Sequence, residues 1–166
     1  MTTRRQLLGS ASTAIALALP RRARAAANQD KDLLELLTAY TSTVVVAYEQ
    51  APPGRSLGRF KADVTQMDDA LRQTVAKRGG SPPPRRPAGA PSRPSRVSRA
   101  EYLRHVVASE EALESAWFAA LQKLADRRVL EGAIAYMAAG GRRLVVLREL
   151  AGLPLLPRAF ETGSFP

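Results

Sequence analysis

One acidic side chain, that of Glu110, falls where an acid is costly and is therefore a candidate for chemistry. It lies between Val106 and Leu113 in the apolar stripe of a predicted helix. An ionised carboxylate on a buried helix face needs a cation, a metal ion or a proton to offset its desolvation. The residues leave all three interpretations open, and Arg143 is the candidate cation. A fourth interpretation places Glu110 at the edge of the stripe, where its carboxylate reaches water.

The other titratable residues restrict the possible chemistry. Glu111 and Glu114 flank Glu110 and are expected to face solvent. The chain has no Cys and a single His, His105, which excludes disulfides, thiolate sites and any site with two imidazoles. It has no glycine-rich phosphate loop following a strand. A further group of acids is interpreted as lying on solvated helix faces: Glu49, Asp63, Asp68, Asp69 and Glu131.

The charge of the whole chain is a poor guide to its partner. The 166 residues carry a formal charge of +10, which suggests a nucleic-acid-binding protein. However, five basic residues fall in the first 25 positions and seven more lie between Lys77 and Arg99, with no acid in either stretch. The rest of the chain has 13 basic residues and 15 acids, a net charge of −2. No nucleic-acid partner is therefore expected.

The first 25 residues resemble a twin-arginine export signal. Arg4 and Arg5 precede a modest apolar run, and Ala23 and Ala25 provide small residues for cleavage. The apolar run is about half the ~20 residues needed to cross a bilayer, so no membrane anchor is expected. The mature chain would begin near Ala26 and act outside the cytoplasm, in the periplasm, in the cell envelope or outside the cell.

Apolar residues at spacings of three and four predict four helices, over residues 32–49, 57–78, 98–124 and 127–151. Asn28 or Asp30 is the expected cap of the first helix. Ser98 and Glu101 form a capping box for the third, and Asp126 caps the fourth. The fold class is therefore all-α, with one domain over residues 26–166.

The connection over residues 79–97 contains six prolines and is predicted to be a loop or a semi-extended strap. It makes the fold a four-helix up-down bundle with one long crossover between helices 2 and 3. Four of its arginines are candidates for binding phosphates or acidic envelope polymers: Arg85, Arg86, Arg93 and Arg96. The alternative is a solvated strap with no ligand.

The first and third helices contain an internal repeat. Residues 41–48 align with residues 110–117, and each stretch runs from a polar residue in the apolar stripe to an alanine and an aromatic residue. Helices 2 and 4 share the pairs Leu71-Arg72 and Leu147-Arg148 near their ends. Two related helical hairpins joined by a strap would account for the long connection.

Over residues 32–160 the chain resembles the ferritin-like superfamily, in particular its exported bacterial ferritin-like domain proteins. The resemblance rests on the end of the first helix at residues 46–51, on Glu110 ahead of Ala116-Trp117, and on the ending at residues 147–161. It implies a ferritin-like four-helix bundle. Metal-binding relatives use a Glu from each of two helices and a Glu-x-x-His pair from each of the other two.

On this resemblance one of six metal ligands survives. The six matching positions hold Thr41, Val64, Met67, Glu110, Gly140 and Arg143. Both imidazoles are absent, and Arg143 would repel a metal ion and pair with Glu110 instead. The expectation is a protein without a cofactor, non-catalytic, that acts as a structural or binding module, with an envelope protein as a possible partner.

Two alternatives stay open. One is a divergent iron or manganese protein or oxidase that uses only carboxylates, with a shifted site built from Asp63, Glu110 and Glu111. The other is polyanion binding through the basic connection between helices 2 and 3.

Overall fold

The structure is a computed structural model that describes residues 4–50, 55–85 and 98–155, with side chains for 25–50, 56–85 and 98–155. Four helices make up these parts of the chain: α1 (Arg4–Gln50), α2 (Arg55–Lys77), α3 (Arg99–Leu121) and α4 (Arg127–Leu150). The described residues contain no strand. The predicted all-α four-helix bundle is thus confirmed.

The predicted export signal falls within the N-terminal part of α1, whose side chains lie outside the described residues. It stays a prediction, as does cleavage near Ala26. Within the part of the chain that the structure describes, no helix combines the length and the apolar character required to cross a membrane.

Contacts between neighbouring helices give their relative directions. Hydrogen bonds join Ser42 to Asp68, Glu35 to Ser81, Tyr48 to Glu110, Gln29 to Lys123 and Glu111 to Arg148. Their order shows that α1 runs antiparallel to both α2 and α3. Consequently α2 and α3 run in the same direction, and the connection between Lys77 and Arg99 has to return along the bundle.

The helices pack through the apolar stripes that the spacing predicts. The largest fully buried apolar side chains come from all four helices: Leu34, Leu37, Val44, Val64, Val75, Val106, Leu113, Trp117 and Leu147. Burying one side chain of this size contributes about 1.5–3 kcal/mol. The core therefore supplies most of what holds the four helices together.

Two predicted helix caps are present. Ser98 accepts a hydrogen bond from the backbone of Glu101, whose side chain accepts one from the backbone of Ser98, so the capping box is complete. Asp126 accepts from the backbone N–H groups of Arg128 and Val129 at the start of α4. Both caps could be predicted because each is a local interaction within one turn.

The predicted cap of the first helix is wrong. Since α1 continues through Asn28 and Asp30, no free helix N-terminus exists there. Asp30 is buried and accepts hydrogen bonds from the backbone N–H groups of Ala125 and Asp126, at 2.8 and 2.9 Å. It therefore fixes the loop before α4 to the side of α1.

The connection after α2 begins as a strap, which we define as residues 80–85. Gly79 adopts a φ of 72°, a conformation that glycine favours, and the chain reverses direction there. The backbone N–H of Ser81 then donates to Glu35 at 3.0 Å, and Arg72 donates to the carbonyl of Pro83 at 2.7 Å. The strap thus runs back along α2 as an extended segment. This described part of the connection is not helical, and residues 86–97 lie outside the described residues.

The internal repeat has a structural counterpart at the ends of the two hairpins. Arg72 donates to Ser42 on α1 and to the carbonyl of Pro83. The equivalent Arg148 donates to Glu111 on α3 and to the carbonyl of Pro154. In each hairpin, the arginine near the end of the second helix holds the chain that leaves it.

Candidate functional site

All six positions that match metal ligands in the ferritin-like resemblance are buried, and they come from all four helices. They are Thr41, Val64, Met67, Glu110, Gly140 and Arg143. The hydroxyl of Thr41 donates to the carbonyl of Leu37 within its own helix, at 2.8 Å. Val64 and Met67 belong to the apolar core. Of the six side chains, only those of Glu110 and Arg143 carry a charge.

Glu110 lies on α3 at 0% exposure and is held by side chains from two other helices. Arg143 on α4 donates from Nε to Oε1 at 2.8 Å and from Nη2 to Oε2 at 3.0 Å. Tyr48 on α1 donates from Oη to Oε1 at 2.7 Å. We call these three residues the central network. The pairing of Glu110 with Arg143 is confirmed, whereas the contribution of Tyr48 has no counterpart in the sequence patterns.

The network favours fixed protonation states. Burial and the neighbouring charge of Glu110 raise the pKa of Tyr48 well above its usual value, so the phenol remains a donor. Burial by itself would lower the pKa of Arg143, but the hydrogen bonds and charge of Glu110 raise it above its usual value. Glu110 and Arg143 form a closed ion pair, and the phenol of Tyr48 donates to a further lone pair of the carboxylate. Tyr48 and Arg143 therefore both keep their protons near neutral pH.

Glu114 lies one turn beyond Glu110. Contrary to the expectation, it faces solvent only in part. It is half-buried, and its carboxylate occupies the space that a Cβ atom at Gly140 would need. Burial, with a smaller contribution from the charge of Glu110, raises the pKa of Glu114 to about 7, although Arg143 opposes the shift. Gly140 in mid-helix is thus explained by the close approach of an acid from α3.

This acid gives the bundle a pH-dependent stability. From an ordinary pKa of 4.5 to the folded pKa of about 7, the unfolded chain loses the proton while the folded chain keeps it. The free energy of unfolding therefore falls as the pH rises through this window and is level above it. A shift of this size corresponds to about 3 kcal/mol, which we reduce to about 2 kcal/mol because Glu114 is half-buried.

We expect Glu114→Gln to remove this dependence. In urea denaturation, the variant should match the wild type at pH 4 and exceed its free energy of unfolding by about 2 kcal/mol at pH 8. Gly140→Ala offers an independent check, since its Cβ displaces the carboxylate toward water and should also flatten the pH profile. Parallel pH profiles for wild type and Glu114→Gln would show that Glu114 ionises normally in the folded chain.

The shifted carboxylate site is not assembled. Asp63 is exposed on α2, both oxygens of Glu110 are held by Arg143, and Glu111 pairs with Arg148. Within the described ranges, no group of three or more His, Cys, Asp or Glu residues is placed to hold a metal ion. The candidates Asp63, Glu110 and Glu111 therefore do not form one site.

The interpretation of the other acids is right for all but one of them. Glu49, Asp63, Asp69 and Glu131 are exposed, as expected. Asp68 is instead fully buried and accepts from Ser42 at 2.8 Å, from Arg72 at 2.8 Å and from Arg85 of the strap at 2.6 Å.

The contact between Asp68 and Arg85 bears on the candidate polyanion site, because Arg85 is one of its four arginines. Arg85 is paired with both Asp68 and Asp69, so its charge is already compensated within the bundle. Arg86, Arg93 and Arg96 lie outside the described residues, and their role stays a prediction.

The architecture has a counterpart among solved structures. A conserved hypothetical protein from Mycobacterium tuberculosis, known from its crystal structure, has a similar fold with a TM-score of 0.66. The match covers 85% of this chain and 99% of that chain, at 18% sequence identity. At this identity the similarity shows a shared fold. No protein-family model matches this sequence, and no curated protein is significantly similar to it.

Membership of the ferritin-like superfamily accordingly stays a prediction. Two of the residues that sequence reasoning missed, Tyr48 and Asp68, join separate elements. Tyr48 belongs to the apolar stripe of α1 by spacing, and its phenol meets a partner 62 positions away. The repeat offered one signal, because it aligns Tyr48 with Trp117, and both are buried.

Proposed function

We propose that this protein is an exported ferritin-like bundle in which a buried ion pair replaces the metal centre, and that it acts as a non-catalytic structural or binding module. The observation that carries the proposal is the bidentate contact of Arg143 with Glu110 at the centre of the bundle. A guanidinium remains charged at any physiological pH and repels divalent cations. It also uses both oxygens of the carboxylate that would otherwise bind a metal.

The helix directions support the ferritin-like part of the proposal. Because α2 and α3 both run antiparallel to α1, the long connection between them crosses the length of the bundle. One long crossover of this kind is a feature of ferritin-like bundles. The positions expected to hold ligands are all buried, which agrees with the alignment on which the resemblance depends.

The export part of the proposal rests on the first 25 residues. The arginine pair Arg4 and Arg5, the modest apolar run and the small residues Ala23 and Ala25 are features of twin-arginine signals. This route carries folded proteins, so the bundle and its buried ion pair would form before export.

Metal analysis of the purified protein tests the central point. We expect protein produced with added iron and manganese to contain well under one metal ion per chain, by inductively coupled plasma mass spectrometry. Chelator treatment should leave its thermal midpoint unchanged, since the ion pair needs no metal.

Arg143→Glu provides the matched comparison, because it removes the guanidinium and places a carboxylate at a ligand position. About two metal ions per wild-type chain, lost in Glu110→Ala, would overturn the proposal and favour the iron or manganese protein. Metal bound equally by wild type and Glu110→Ala would point to adventitious binding at the surface.

A further inference from the structure

A cleft of about 440 Å³ opens between the C-terminal half of α2 and the N-terminal half of α4. Leu34 and Trp117 reach it from the other two helices, so it extends to the core. Its volume falls within the range of about 300–1,000 Å³ that is usual for small-molecule sites. The cleft is separate from the central network, none of whose residues lines it.

The inner part of the cleft is apolar. Leu71, Val129 and the ring of Tyr136 line it, and the ring of Tyr136 lies 5.7 Å from that of Trp117. Trp117 is 1% exposed, and its Nε1–H finds no acceptor among the described residues. Because this N–H is itself inaccessible to solvent, Trp117 contributes an apolar ring to the floor of the cleft.

The mouth of the cleft is positively charged. Arg78 and Asp126 form an ion pair there, so their charges cancel. Lys77 and Arg128 also line the cleft, and neither makes an ion pair with another described residue. Two uncompensated cations above an apolar floor favour a ligand with an anionic group at one end.

We propose that this cleft binds a small amphipathic carboxylate, with its apolar body against Leu71 and Trp117 and its carboxylate near Lys77 and Arg128. The proposal gives a ligand class to the binding module proposed above. It does not depend on the state of the central network, so the metal analysis and the binding test below can succeed or fail independently.

Gly132 allows the cleft to be filled without disturbing the fold. It lines the cleft, and a Cβ atom at this position would meet no atom within 4 Å. Gly141 on the same helix has equally open surroundings but is exposed and lies outside the cleft. Gly132→Leu and Gly141→Leu are therefore a matched pair, one that fills the cleft and one that does not.

The binding test uses the full chain and the fluorescence of Trp117, which is the single tryptophan of the sequence. The probe is 8-anilinonaphthalene-1-sulfonate, an apolar anion that accepts excitation energy from tryptophan, and the competitor is decanoate below its micelle concentration. We expect saturable energy transfer from Trp117 and displacement by decanoate. Decanol, which lacks the charge, should compete at least about tenfold less well.

The variants locate the site. Gly132→Leu should weaken binding at least about tenfold, and Gly141→Leu should leave it unchanged. Arg128→Ala should weaken decanoate binding about threefold to fivefold, whereas Arg127→Ala on the exposed side of α4 should not. Absence of saturable binding, equal binding by the two leucine variants, or equal competition by decanol would each overturn the proposal.

Discussion

Replacing Arg143 with methionine is expected to lower the free energy of unfolding by about 3–5 kcal/mol. Glu110 would remain at 0% exposure with the Tyr48 phenol as its one remaining donor in the network. A buried carboxylate without its cation loses the interaction that offset its desolvation. Urea denaturation at pH 7, followed by far-ultraviolet circular dichroism, measures the effect.

Two further variants separate the buried charge from a general effect of the substitution. Arg127→Met removes an arginine from an exposed pair with Glu131 and should cost less than about 0.5 kcal/mol. The double variant Glu110→Leu with Arg143→Met replaces the ion pair by apolar groups and should recover most of the stability. If Arg143→Met is no more harmful than Arg127→Met, then Glu110 is not confined in the core as the structure shows.

The second large effect is expected at Asp68. This fully buried carboxylate joins α1 through Ser42, α2 through Arg72 and the strap through Arg85. Asp68→Ala should lower the free energy of unfolding by about 2–4 kcal/mol, because it leaves the partly buried guanidinium of Arg72 without its carboxylate. It should also release the strap.

Asp69→Ala is the matched control for this effect. Asp69 also pairs with Arg85 but is exposed, so its removal should cost less than about 0.5 kcal/mol. Limited trypsin digestion measures the strap directly, since cleavage after Arg85 should become faster in Asp68→Ala and stay near the wild-type rate in Asp69→Ala. Equal rates in the two variants would mean that Asp68 does not anchor the strap.

The features that could be predicted from sequence are those with short-range causes. The helix stripes, the capping box at Ser98 and the cap at Asp126 each depend on residues within a few positions of one another. The burial of Glu110 could be predicted in the same way, because the spacing of the apolar residues around it places it in the buried stripe of its helix. Arg143 could be named as its partner only through the alignment with ferritin-like bundles.

The features that could not be predicted depend on contacts between distant segments. Asp68 and Asp69 are adjacent acids with similar local surroundings in the sequence, yet the strap and Ser42 bury only one of them. Glu114 is half-buried because Gly140 on another helix leaves space for its carboxylate. The residues next to Glu114 in the sequence give no sign of that space. Asp30 was expected to cap its own helix, and it binds the loop before α4 instead.

The central network divides unevenly between the two hairpins. Glu110 and Arg143 belong to the second hairpin and can pair without the first, which adds only the phenol of Tyr48. Sliding α1 by one turn past α3 would separate this phenol from its carboxylate. A single buried polar contact can set the alignment of two helices at little gain in stability. The contact of Tyr48 with Glu110 would thus select one alignment of the two similar hairpins along each other.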